Sequence, residues 1–175
     1  MRTGQPSPAP VTPRTGAQPA PIGADPHPGR LRTVMLATDL SPTSEAATTA
    51  ALDLAGTLGA RLLAVSVIDP GSLRLAGGRF RQRVDQVRSA REQIAQELVA
   101  RGRSAGIAVE FLVWEGDPGE AIIEAAAAEA ADLIVVGSHG RGTVGRFLIG
   151  SVSDHVVRNA QCPVLVVRSG GPAPN

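Results

Sequence analysis

The chain of 175 residues contains no lysine; all 17 of its basic residues are arginine. That excludes a Walker-type phosphate lysine, a Schiff-base lysine and a lysine general base. Tyrosine is absent too, and with one Trp and three Phe the core must be built from Ala, Val, Leu and Ile. A single cysteine, Cys162, rules out an intrachain disulfide and a cysteine-rich zinc site. Beside an apolar run, its simpler role is a buried inert thiol, with a redox switch as the alternative. No apolar run approaches the ~20 residues that cross a bilayer, and the N-terminus lacks the apolar stretch of a signal peptide. The expectation is a soluble cytoplasmic protein with no membrane partner. A net charge of +1 supplies no global field toward nucleic acid.

Residues 1–30 differ in composition from the rest. They hold eight of the fourteen prolines, four glycines and almost no large apolar side chains. Such a segment cannot bury enough surface to offset its ordering entropy, so a disordered tail is expected, with a docking role the alternative. One domain is expected over residues 31–169, and residues 170–175 should fray.

From Leu31 onward, short apolar runs alternate with longer amphipathic or alanine-rich segments. "RTVMLATD" is a first strand. Ser41-Pro42 supplies an N-cap and a proline at the first helical position, and Gly59 closes that helix. "RLLAVSVID" is a second strand. A loop over Gly71–Gly78 precedes a long arginine-rich helix to about Arg103, with Phe80, Val84, Val87, Ile94 and Leu98 as its apolar stripe. Its arginines are expected to form a solvated face rather than a polyanion site. "IAVEFLVWEG" is a third strand, and Asp117-Pro118-Gly119-Glu120 starts a helix running to Ala130. "DLIVVG" is a fourth strand, Ser151–Asn159 a short helix and "CPVLVV" a fifth strand. This alternation implies a mostly parallel sheet with helices on both faces. Ligands of such sheets bind beyond the carboxyl ends of the strands, where the strand order reverses. In a 3-2-1-4-5 order, Asp39 and Gly137 meet there.

The stretch Val136–Ser151, "VGSHGRGTVGRFLIGS", carries five glycines, and two fingerprints pass through them. Gly140-x-Gly142-x2-Gly145 matches GxGxxG literally. It follows the fourth strand rather than the first, does not open directly into a helix, and has no acid after the next strand for a ribose, so its surroundings argue against NAD. The second fingerprint is Gly137-x2-Gly140-x9-Gly150-Ser151. One glycine permits a sharp exit from the strand, and the next lets backbone amides close on a phosphate. The third precedes a helix whose free amides and positive dipole end face the same anion. Ser151 and Ser153 add hydroxyls there, with capping alone as the plainer role.

This second fingerprint, with "ATDLS", "VIDP", "LIVVGSHGRG" and "IGSVSDHVV…CPVLVV", resembles the ATP-binding branch of the universal stress protein family over roughly Leu31 to Arg168. The resemblance implies a Rossmann-like, doubly wound five-stranded parallel sheet of order 3-2-1-4-5. It also implies roles for particular residues. Asp39 would meet the adenine amino group, with Thr38 and Ala37 lining the same edge and Val67 offering backbone hydrogen bonds to the base. Val136 and Gly137 would lie beside adenine and ribose. Gly140, Gly150, Ser151, Val152 and Ser153 would hold the phosphates. Val136 stands where the family often has Met, and Ser153 where it often has Thr; both keep the needed character. Asp39 has a plainer role available as a turn or cap residue. A homodimer through the last strand is also implied.

His139, His155 and Asp154 lack the spacing of a metal site, so no metal ligand is assigned. Arg141 and Arg146 would either screen a triphosphate or face solvent. Any Mg2+ would be carried mainly by the phosphates. No residue is placed as a general base for water. The expected function is therefore an ATP-binding stress-response or regulatory module with an unknown protein partner. A dimeric interaction module with incidental nucleotide and a slow ATPase are the rivals.

Overall fold

The computed structural model describes residues 31–73, 80–138 and 150–168. The expected tail, the loop glycines Gly140, Gly142 and Gly145, His139, Arg141, Arg146 and the C-terminal residues 170–175 lie outside them. In chain order the elements are β1 (Thr33–Ala37), a 3-10 turn (Pro42–Ser44), α1 (Glu45–Leu58), β2 (Arg61–Ile68), α2 (Pro70–Leu73) and α3 (Phe80–Ser104). They continue with β3 (Val109–Glu115), α4 (Pro118–Ala128), β4 (Leu133–Gly137), α5 (Ser151–Asn159) and β5 (Val164–Val167). All strand pairs are parallel, and the order is β3-β2-β1-β4-β5.

The central strands are apolar at nearly every position because both faces of the sheet are covered. Alternate residues divide them between two cores. Val34, Leu36, Leu62, Ala64 and Val135 pack with Ala47, Ala51 and Ala55 of α1 and Leu98 of α3. Met35, Leu63, Val65, Ile134 and Val136 pack with Ile122 and Ala125 of α4 and Val156 of α5. Small residues bring the helices close. A Cβ on Gly102 of α3 would clash with Val109 Cγ2, so glycine sets that helix–strand distance.

Several local expectations hold. Gly59 closes α1 in the left-handed conformation at φ 61°. The Asp117 side chain accepts from the N–H groups of Gly119 and Glu120 at 3.0 and 3.3 Å and starts α4. Four others need correction. Ser41 precedes a 3-10 turn and makes no side-chain cap bond; its hydroxyl is turned back to donate to Asp39. The segment after β2 is not loop throughout; Pro70–Leu73 forms a helical turn. α4 ends at Ala128, and Ala130 has φ 49°, which no right-handed helix contains. On α3, Ile94 is 49% exposed, while Ala95 is buried together with Val84 and Leu98. At about 100° per residue, Val84, Arg91, Ala95, Leu98 and Gly102 share an arc of about 60°, and Ile94 falls outside it.

Candidate functional site

The carboxyl ends of the strands form the crevice, and β1 and β4, whose connections leave toward opposite sides, bound it. Thr38 N donates to Val65 O at 3.0 Å, the last rung between β1 and β2. The chain then turns away. Thr38 Oγ1 accepts from Leu40 N at 2.9 Å and donates to Ser44 Oγ at 3.0 Å. Ser44 Oγ donates to Ser41 O at 2.8 Å. Asp39 Oδ1 accepts from both Ser41 N (3.0 Å) and Ser41 Oγ (2.6 Å). Short hydroxyl and carboxylate side chains thus close the turn by bonding to backbone two or three residues away. They hold Leu40 at φ 58°, a left-handed conformation that costs a non-glycine residue about 1–2 kcal/mol. The turn role weighed for Asp39 is therefore filled, through its Oδ1.

On the β4 side, Ser138 N donates to Val167 O and Gly150 N to Ser138 O, each at 2.8 Å. The chain thus leaves and returns at one point, the intervening residues lying outside those described. Gly150 is the N-cap of α5 and supplies no side-chain cap bond. Its φ of −59° and ψ of 152° suit any residue. Glycine is therefore not required there by backbone angle. Val152 packs against the second core, Ser151 is exposed and Ser153 is buried. Ser153 Oγ donates to Gly137 O at 2.6 Å, locking α5 onto the end of β4. Its proton is thereby committed, while its oxygen can still accept.

Of the expected site residues, Ala37 and Val136 are register partners on adjacent strands. Thr38, Asp39, Val67, Gly137, Gly150, Ser151, Val152 and Ser153 all lie at the carboxyl ends of β1, β2 and β4 or at the start of α5. Gly140 is outside the described residues. Sequence reasoning missed Arg91, whose Nη1 donates to Val67 O at 2.5 Å. The signal was available: an arginine at the centre of the core-facing arc of α3. It also missed Ser44, the buried hydroxyl between Thr38 and the backbone.

The weaker constellations do not assemble. Among the described residues no group of three His, Cys, Asp or Glu side chains is placed to hold a metal. Asp154 is paired with Arg158 at 2.9 Å. His155 Nε2 lies 3.1 Å from Glu120 Oε1, yet that buried nitrogen has no aligned hydrogen bond. The short distance is therefore a contact between α4 and α5 rather than a formed hydrogen bond. Burial pushes the Cys162 thiol up, away from the thiolate form that reacts. No helix among the described residues is long and apolar enough to cross a membrane.

An open parallel sheet with helices on both faces, and a crevice where its strand order reverses, defines a doubly wound α/β protein of Rossmann-like type. The sequence profile of the universal stress protein family matches residues 30–168, and the chain belongs to that family. It is 38% identical over 138 residues to a universal stress protein of Thermus aquaticus, covering 78% of this chain and 98% of that one. Among solved structures, a universal stress protein family member from Burkholderia pseudomallei superposes with a TM-score of 0.68 at 30% identity. That match covers 82% of this chain and 100% of the other. A universal stress protein solved in complex with cAMP superposes with a TM-score of 0.60 at 29% identity, covering 79% and 97%.

Proposed function

We propose that the chain binds ATP in the crevice between β1 and β4 and acts as a nucleotide-dependent regulatory module. Adenine lies along Ala37, Thr38, Asp39, Val67 and Val136, with Gly137 beside the ribose. The phosphates lie against Gly140, Gly150, Ser151, Val152 and Ser153. The observation that carries this is the start of α5. A nine-residue helix begins at the carboxyl end of β4, its N-cap a glycine that supplies no side-chain bond and whose backbone angles do not require glycine. Its first-turn amides and positive dipole end suit an anion at close range. The cAMP complex of a relative supports an adenine nucleotide as the ligand class. Mg2+ would enter with the phosphates. Universal stress proteins are generally not classical enzymes, and we assign no residue of this chain as a general base.

A second role, as a dimeric interaction module, is favoured by one observation. β5 is an edge strand with Leu165 38% exposed, and Val157 of the adjacent α5 is 44% exposed. An open edge beside apolar side chains is a template for a second copy of the chain. The two roles are compatible.

Mass spectrometry of the purified chain, native and then denatured, identifies any nucleotide carried with it. Calorimetric titration then tests the site. A side chain at Gly150 would push the anion off the amides, losing charge-assisted bonds of about 1.5–3 kcal/mol. Gly150→Val should therefore weaken ATP binding by about tenfold or more, while Gly145→Ala leaves it nearly unchanged. A folded chain in which Gly145 is critical and NAD binds more tightly than ATP would return the site to the dinucleotide fingerprint.

A further inference from the structure

In a parallel ladder, alternate residues of a strand turn their N–H and C=O toward the same neighbour. Arg61 N bonds to Arg32 O, and Val65 O accepts from Thr38 N. The odd-numbered residues of β2 therefore face β1, and the next in the series is Val67. The donor that would continue the ladder onto Val67 O is Leu40 N, two residues beyond Thr38. That N–H has been diverted to Thr38 Oγ1, because Leu40 has left the strand in a left-handed conformation. The Val67 carbonyl thus points into the crevice one step past the end of β1, without its strand partner. Arg91 fills the gap. It projects from the core-facing arc of α3, is half-buried, and its Nη1 donates to Val67 O at 2.5 Å. One turn earlier, Arg88 bonds to Val113 O at 3.4 Å and pairs with Glu115 at the end of β3. The α3 helix is therefore anchored over the ends of both strands.

We propose that Arg91 is a built-in competitor for the nucleotide base. This rests on the assignment of the crevice to an adenine nucleotide, whose exocyclic amino group needs the carbonyl that the guanidinium already holds. A carbonyl oxygen can accept two bonds, but the guanidinium stands on the side where Leu40 N would have continued the ladder, and in this proposal adenine takes that side of Val67 O as Arg91 swings away. The intrinsic affinity of the base site is thereby reduced, and anything that draws Arg91 outward raises it. A charged donor makes the contact roughly twice as strong as a neutral hydrogen bond, so the competition is not negligible. Selectivity follows from the same geometry. A purine with a carbonyl in place of the amino group presents an acceptor there instead of a donor, and in the same pose it gains nothing when Val67 O is released.

The test is calorimetric titration of ATP and of inosine triphosphate into the full chain and into Arg91→Met, which keeps the apolar stem and removes the donors. ATP binding is expected to tighten by roughly tenfold in the variant, the scale of one charge-assisted bond no longer broken. Inosine triphosphate binding should not tighten. In the unaltered chain, nuclear magnetic resonance should show the Arg91 guanidinium protons protected from exchange before ATP is added and released after it. That readout stands even if Arg91→Met does not fold. ATP bound by the unaltered chain but equally or less well by the variant overturns the competitor and leaves the nucleotide site intact. Equal tightening of both nucleotides also overturns it, since bulk and not the carbonyl would then be at stake. Failure of the folded, unaltered chain to bind either nucleotide sinks the nucleotide assignment and this proposal with it.

Discussion

Gly119 is the second residue of α4, and its Cα faces the imidazole of His155 on α5. A Cβ added there would lie 2.8 Å from Cδ2, 2.9 Å from Cγ and 3.2 Å from Cβ of His155. Two of those atoms sit at the root of the side chain, so rotating the ring does not relieve the contact. Restoring ordinary separation requires α4 and α5 to part by roughly half an ångström or more, at the ~1–3 kcal/mol typical of overpacking. Alanine recovers about 0.5–1 kcal/mol over glycine in a helix, so Gly119→Ala should destabilise the fold by about 0.5–2 kcal/mol. The assay is equilibrium denaturation at matched protein concentration, so that any self-association contributes equally. The background His155→Ala removes the ring, and there Gly119→Ala should change sign and stabilise by about 0.5–1 kcal/mol. A double-mutant cycle with no coupling would refute the idea that this glycine exists to seat His155.

Asp39→Asn should preserve the turn, since an amide oxygen can still accept from Ser41. The ATP preference over GTP should narrow by about 1–3 kcal/mol in competition titrations; equal binding of the two by the unaltered chain would remove Asp39 from the adenine edge. Val166→Pro should favour monomer in light scattering. Pro163 and Val167 turn their carbonyls to β4, so Val166 turns its N–H to the open edge, and proline there removes an edge donor without touching the internal ladder. A folded variant that remains a dimer would move the interface elsewhere. Deletion of Met1–Gly29 should shift the melting temperature little, because that segment offers few apolar contacts; a large drop would mean that it docks on the domain.

The strands, the helices and the ends of most elements were legible because their signals are local, whereas the strand order came with the family resemblance and was borne out. Continuous apolar runs, Gly59 beyond a helix and Asp117-Pro118 before one each act within a few residues. The base end of the crevice was less so. That Asp39 bonds to Ser41 while Thr38 bonds to Leu40 and Ser44 depends on a left-handed Leu40, which no propensity favours. The turn exists only because three side-chain oxygens act together. Arg91 was lost among the arginines of a long helix because composition marks that helix as charged. Only its angular position, among buried residues, separates it from the solvated ones. The stripe placed Ile94 inward for the related reason that a seven-residue step from Val87 drifts about 20° off a 3.6 period.

The two ends of the crevice are built on opposite plans, and the difference bears on how the proposed nucleotide would be taken up. At the β1 end Asp39 Oδ1, Thr38 Oγ1 and Val67 O each already hold a protein donor. A base binding there meets acceptors already engaged by protein donors and must share or displace them, which yields only the small net gain of a typical hydrogen bond, about 0.5–1.5 kcal/mol. At the α5 end the helix carries no side-chain cap, and Ser153 and Ser138 fix its position through backbone carbonyls. Among the described residues the N-cap of α5 supplies no side-chain bond, and in the proposed assignment an anion there completes that set of donors. In the proposed assignment the phosphates therefore contribute most of the affinity, and the base, admitted against Arg91, contributes most of the discrimination. A triphosphate with a poor base should then still bind, whereas adenosine alone should bind weakly. The phosphate-end variant Gly150→Val should cost affinity for every nucleotide alike, whereas Asp39→Asn should narrow the preference for ATP and Arg91→Met should tighten ATP alone, so that both change the ranking among bases.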